Sequence, residues 1–171
     1  IICVSNNSNI AIENTDIVHH HVPSIYVDKA SSAKMYFCNF TSNPNALLAQ
    51  DYSALNLFSS MFTGHTHGFV YLVNGFVTLN NCTFIDNTNQ DRGAVVYAKS
   101  GTDVKVFISN CTFENNRCFG LGCSGGAIYI TGPDASSATA LYVFNSTFLK
   151  NLALIQGGAI FAYVLKDVAL D

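Results

Sequence analysis

The sequence predicts an all-β solenoid of about six windings. Three observations carry that prediction: a two-part phrase that recurs, strict alternation of apolar and polar residues inside each copy, and an uneven distance between copies. Cys82-Thr83-Phe84-Ile85-Asp86-Asn87 leads to Gly93-Ala94-Val95-Val96-Tyr97. Cys111-Thr112-Phe113-Glu114-Asn115-Asn116 leads to Gly125-Gly126-Ala127-Ile128-Tyr129, and Ser146-Thr147-Phe148-Leu149-Lys150-Asn151 to Gly157-Gly158-Ala159-Ile160-Phe161. A unit this small cannot bury its apolar face alone, so the copies must stack on one another.

Taken from the N-terminus, Cys3-Val4-Ser5 reads as a degenerate first copy and Cys38-Asn39-Phe40-Thr41-Ser42-Asn43 as a good second one. Ser60-Met61-Phe62-Thr63-Gly64-His65 keeps the Phe and loses the Asn. The matching second phrases are Val22-Pro23-Ser24-Ile25-Tyr26 and His67-Gly68-Phe69-Val70-Tyr71, with no clean copy between Phe40 and Phe62. The anchors fall at positions 3, 38, 60, 82, 111 and 146, separated by 35, 22, 22, 29 and 35 residues. A floor of 22 with variable excess suits a β-coil whose turns accept insertions, here at 117–124 and 132–139. A helical-pair repeat holds a nearly fixed period of roughly 33–47 residues instead.

Within each copy Val77, Leu79, Cys82 and Phe84 point one way, and Thr78, Asn80 and Thr83 the other. Val104, Val106, Ile108, Cys111 and Phe113 repeat the pattern, as do Leu141, Val143, Ser146 and Phe148. Such period-2 runs are half-buried strands. Phe40, Phe62, Phe84, Phe113 and Phe148 are therefore expected to form one inward column. The alternation slips once per copy, at Asn81, Asn110 and Asn145, residues that tolerate a left-handed bend. The paired glycines mark a second bend, where a side chain would strike the neighbouring winding.

These phrases resemble the right-handed parallel β-helix of the pectin-lyase-like class. More closely, Phe-x-x-Asn with Gly-Gly-Ala-Ile is similar to the repeat of chlamydial polymorphic outer-membrane proteins, and protist surface proteins carry similar repeats. The resemblance covers residues 76–163 well and 1–75 loosely. It implies the architecture and a secreted or surface setting. It leaves activity open, because this fold holds lyases, hydrolases, adhesins and inert scaffolds.

Length and composition set bounds. At 171 residues the chain is expected to be a single β-helix domain over 1–171. It is 49% hydrophobic and only 11% charged, against about 25% charged in ordinary soluble domains, as a long apolar interior with uncharged polar flanks requires. A net charge of −3 without a basic cluster argues against nucleic acid. No apolar run approaches the ~18 residues of a membrane span. The chain opens without Met or a signal peptide and shows no recognisable cap at either end. We therefore expect either more windings in a parent protein or head-to-tail stacking on a second copy.

Cys118 and Cys123 sit in one inserted turn whose glycines let it fold back, so a local disulfide is expected and with it an oxidising compartment. Cys3, Cys38, Cys82 and Cys111 read as one repeat position. They are either strained disulfides between consecutive windings, about 4.8 Å apart, or free inward thiols, since Ser60 and Ser146 occupy the same place. Asn-x-Ser/Thr sequons at Asn6, Asn39, Asn81, Asn110 and Asn145 make N-linked glycans the one non-protein group expected; no cofactor is.

Candidate chemistry is sparse. His19-His20-His21 and the pair His65 and His67, which share a face if extended, are the only metal-like groupings, and they lack a second ligand pair of matching spacing. We expect no metal. Asp86 and Glu114 are the best carboxylate pair, placed on adjacent windings as glycoside hydrolysis would need. No third acid follows and the few basic residues do not converge, so we expect no enzyme, with a polysaccharide hydrolase or lyase as the alternative. Tyr26, Tyr71, Tyr97 and Tyr129 share a repeat position and make either a packing ladder or a sugar platform. The expected role is structural: an extracellular stalk, adhesin or filament subunit whose partners are itself, other surface proteins or glycans.

Overall fold

The computed structural model describes residues 2–18, 24–43, 47–99, 103–134 and 136–171, and every regular element in them is a β-strand. The strands form six complete windings, and Ile160–Tyr163 with Asp167–Leu170 begin a seventh. Every pairing is parallel, each strand lying beside its counterpart in the next winding, so the chain is a parallel β-helix. One winding runs through Val96–Lys99, Val104–Ser109, Thr112–Glu114 and Arg117–Cys118, and these four strands serve four faces. In the middle windings the first two faces fuse into the long strands Leu47–Phe58 and Val70–Asn80, which unite them as one 12-stranded sheet. A 6-stranded and a 3-stranded sheet close the section.

The interior is built of columns. Phe40, Phe62, Phe84 and Phe113 are fully buried, and Phe148 continues their column half-covered at the last winding. Successive ring centroids are 5.1, 4.8, 4.8 and 4.6 Å apart. The inter-strand spacing, about 4.8 Å, is also a good ring-stacking distance. Above these rings the Val and Leu columns of the wide sheet complete a dry core.

The corners explain the breaks in alternation. Asn14, Phe37, Ser59, Asn81, Asn110 and Asn145 all take a left-handed φ between 46° and 54° at the bend into the Phe strand. Gly93, Gly125 and Gly157 occupy another corner with φ of 52°, 71° and 60°. A Cβ on Gly125 would lie 2.1 Å from the Ile128 carbonyl oxygen of its own winding, whereas one on Gly126 would lie 2.0 Å from Gly158 oxygen of the next. In this pair the second glycine is small because of its neighbour winding, whereas Gly93 at the first position meets both its own winding and Tyr129 N of the next, at 2.8 Å.

Two sequence assignments change. Cys3 pairs with Tyr26 in the first face and so does not belong to the Cys38 position. Register places Ile17 beside Phe40, and the Asn39 N–H bonds the Thr15 carbonyl as Met61 N–H bonds that of Cys38. The first anchor is therefore Thr15, 23 residues before Cys38, and the apparent gap of 35 disappears. A copy of the second phrase also exists between Phe40 and Phe62: Leu47, Leu48 and Ala49 pair with Ile25, Tyr26 and Val27.

Candidate functional site

Asp86 and Glu114 do come to one place. Ile85 and Glu114 are register partners, Asp86 follows at a left-handed bend, and both acids line an open surface depression with Asn115, Arg117 and Lys150. Asn115 Nδ2 donates to Asp86 Oδ1, and Arg117 Nε donates to Asn115 Oδ1 at 2.9 Å. Asp86 is thereby bound to a neighbour, and the depression is a polar network open to water. Glycosidase chemistry asks for one carboxyl held apart from its partner in an apolar setting, which these surroundings do not supply.

The histidines separate. His19, His20 and His21 lie outside the described residues. His65 and His67 do not share a face, because the chain between them is not a strand: His65 is wholly buried and His67 exposed. Among the described residues no three His, Cys, Asp or Glu side chains gather to hold a metal.

His65 instead belongs to a polar column inside the helix. The Asn of each Phe-x-x-Asn phrase turns inward, so Asn43, His65, Asn87, Asn116 and Asn151 follow one another from winding to winding. Asn116 Oδ1 accepts from the Asn87 N–H (3.2 Å) and Asn87 Nδ2 (2.9 Å). Asn116 Nδ2 donates to Phe84 oxygen (3.1 Å) and Asn151 Oδ1 (3.0 Å). Each amide so satisfies the buried backbone at its corner. At His65 the ring Nδ1 meets Asn43, while Nε2 is buried without a hydrogen bond. Burial pulls the His65 pKa down. The sequence does not announce this column: Asn is common in turns, and nothing local distinguishes an inward amide from an outward one.

The cysteine position is a relay. Ser60 Oγ accepts from the Cys38 N–H at 3.0 Å and donates to Phe58 oxygen at 2.8 Å. Cys111 Sγ accepts from Cys82 N–H at 3.4 Å and donates to Ser109 oxygen at 3.2 Å. A small side chain with one acceptor and one donor is required, which Cys and Ser both supply. Cys38, Cys82 and Cys111 are buried free thiols, and Cys3 is an exposed one. Hydrogen bonding to Cys111, with burial, pushes the Cys82 thiol pKa up. The Cys118–Cys123 disulfide, with Cα atoms 5.6 Å apart, closes the inserted turn.

The sequon asparagines Asn6, Asn39, Asn81, Asn110 and Asn145 are all exposed. The last three stand at one corner of successive windings.

On the first face Tyr71, Tyr97, Tyr129 and Phe161 are register neighbours, while Leu48 separates Tyr26 from them. Tyr71 and Tyr97 meet edge to face, with centroids 5.2 Å apart and planes at 71°. Beside them a cleft of about 250 Å³ opens between His67–Tyr71 of one winding and Asn89–Asp91 of the same winding's longer turn, with Tyr97 from the next. Burial raises the Tyr97 pKa, with the Tyr71 hydroxyl adding to it.

Among families of known proteins, the right-handed β-helix region matches residues 1–148, and the repeat of the Chlamydia polymorphic membrane proteins matches residues 145–163. No curated protein and no solved structure shows significant similarity to the chain.

Proposed function

We propose, for a chain that belongs to the family of right-handed β-helix regions, an extracellular structural or adhesive role as a surface stalk or fibre subunit lengthened by stacking of windings. The observation that carries this reading is the unbroken run of axial columns, five phenylalanines beside five hydrogen-bonded inward polar side chains. Backbone ladders along the axis with such columns make a stiff rod, and any parallel strand of matching pattern extends it. The match to a membrane-protein repeat supports display at a cell surface. The disulfide supports an oxidising compartment, and the exposed sequons are compatible with N-glycans.

Negative-stain imaging and sedimentation across a concentration series test the role. End-to-end particles that lengthen with concentration are expected; dispersed single particles at high concentration would refute stacking. Intact mass before and after treatment with peptide N-glycosidase, on protein from a eukaryotic secretory host, tests the glycans. Windings about 4.8 Å apart leave no room for sugar on Asn81, Asn110 and Asn145 together, so partial occupancy of that corner is expected.

A further inference from the structure

We propose that the cleft beside Tyr71 and Tyr97 binds a neutral pyranose ring, free or at the end of a glycan. Its size fits one ring: about 250 Å³, below the ~300–1,000 Å³ of sites for drug-sized ligands. Its walls are of two kinds. Tyr71 and Tyr97 offer apolar ring surface, with His67 on the same segment as Tyr71, and Gln90 and Asp91 offer polar groups from the turn opposite. A pyranose has the same two-sidedness, an apolar C–H face and a rim of hydroxyls.

The aromatic wall is available because of how its rings pack. Phe62, Phe84, Phe113 and Phe148 lie within 12° of parallel from ring to ring and spend their faces on each other. Tyr71 and Tyr97 cross at 71°, which leaves ring surface uncovered by the column. The next ring, Tyr129, is already occupied by the Arg92 guanidinium, 4.8 Å from its centroid. The open aromatic surface of this column is thus at the cleft.

The backbone that carries the polar wall is fixed in advance. Asn89 holds its turn closed: its Oδ1 accepts from the Asp91 N–H at 3.1 Å, and its Nδ2 donates to the Arg92 and Gly93 oxygens at 2.7 and 3.3 Å. Gly68 lets the turn approach, since a Cβ there would lie 2.8 Å from Asn89 Nδ2. The Gln90 amide and Asp91 carboxylate are left with no side-chain hydrogen bond among the described residues, and both residues are exposed. An acid and an amide with free capacity, carried on a turn whose backbone is already held opposite an aromatic ring, suit hydroxyl recognition. With Arg92 engaged by Tyr129, the cleft offers a carboxylate and no partnering cation, which favours a neutral sugar over an acidic one.

Saturation-transfer NMR on the whole chain tests this with methyl α-mannopyranoside, methyl β-galactopyranoside, methyl β-N-acetylglucosaminide and the N-acetylglucosamine trisaccharide. At least one glycoside is expected to receive saturation at its ring C–H protons. Asp91→Asn and Gln90→Ala, both at exposed positions whose side chains take no part in the Asn89 bonds, are expected to weaken that binding about tenfold or more with unchanged circular dichroism. Tyr97→Phe should retain it. If the cleft takes the end of a glycan, the trisaccharide outcompetes its methyl glycoside; if it takes a free ring, the two compete equally. No transfer from any of the four sugars, or transfer unaffected by both Asp91→Asn and Gln90→Ala, overturns the proposal. The rod reading survives that result, because it does not use the cleft.

Discussion

Replacing Asn116 by Leu removes one rung of the inner polar column while keeping the side-chain volume similar. Two donors on Asn87 lose their acceptor: its backbone N–H entirely, and one of the amide hydrogens, since Asn87 Nδ2 keeps Phe62 oxygen at 3.2 Å. Asn151 Oδ1 keeps the Asn116 backbone N–H at 3.0 Å, so the damage runs toward the N-terminal side. Asn87 is fully buried, and no water reaches it. At about 1–3 kcal/mol for each buried donor left unpaired, the variant should lose about 2–6 kcal/mol, a large share of the ~5–15 kcal/mol that a domain has. Urea unfolding followed by far-ultraviolet circular dichroism measures the loss, and amide exchange locates it. The Asn87 amide should exchange faster, while those of the Asn9–Glu13 strand, far along the rod, should not. A variant within about 1 kcal/mol of the parent, with Asn87 still protected, would refute the reasoning that these amides satisfy the corner backbone.

Three further outcomes follow from other positions. His65 is buried as the neutral ring, so its folded pKa lies below the unfolded value of about 6.5. Its contribution is therefore complete above pH ~6.5 and is lost as pH falls through the folded pKa; His65→Asn should flatten the acid limb of a stability–pH profile, and an unchanged limb would contradict the assignment. Cys111→Ser keeps both relay bonds and should cost less than about 1 kcal/mol, whereas Cys111→Ala orphans the Cys82 N–H and should cost about 1–3 kcal/mol by denaturant titration; equal costs would mean that the column selects size alone. Gly125→Ala combines a left-handed φ of 71° with a contact of 2.1 Å to Ile128 oxygen, and should lower stability by about 2 kcal/mol or more, seen as a fall in the urea midpoint.

Much of the architecture is legible in the sequence because a solenoid writes each contact many times. Phe84, Phe113 and Phe148 announce a column by spacing alone, and Asn81, Asn110 and Asn145 announce a bend. The first winding is hard to place from sequence because Thr15 and Ile17 stand where later windings have Cys and Phe, while Cys3 lies on another face. The sequence signal for its true register is Asn14, a bend residue whose φ is 49°. His65 resembles half of a surface pair because His is usually solvated, and only its place three residues after Phe62 marks it as a substitute for Asn. The cleft was not legible. The tyrosine column was, but Gln90 and Asp91 sit in a turn of irregular length whose fold depends on Asn89 and on the missing side chain of Gly68. Variable turns carry no period, and so the repeat says nothing about what they build.

The most direct test of the stacked-winding account is a nuclear Overhauser spectrum of the aromatic ring protons with assigned Phe62, Phe84, Phe113 and Phe148. Ring centroids 4.8, 4.8 and 4.6 Å apart predict observable cross-peaks between each consecutive pair, though 22 to 35 residues separate them in sequence. Rings that show solvent contact and no cross-peaks to their counterparts one winding away would contradict it.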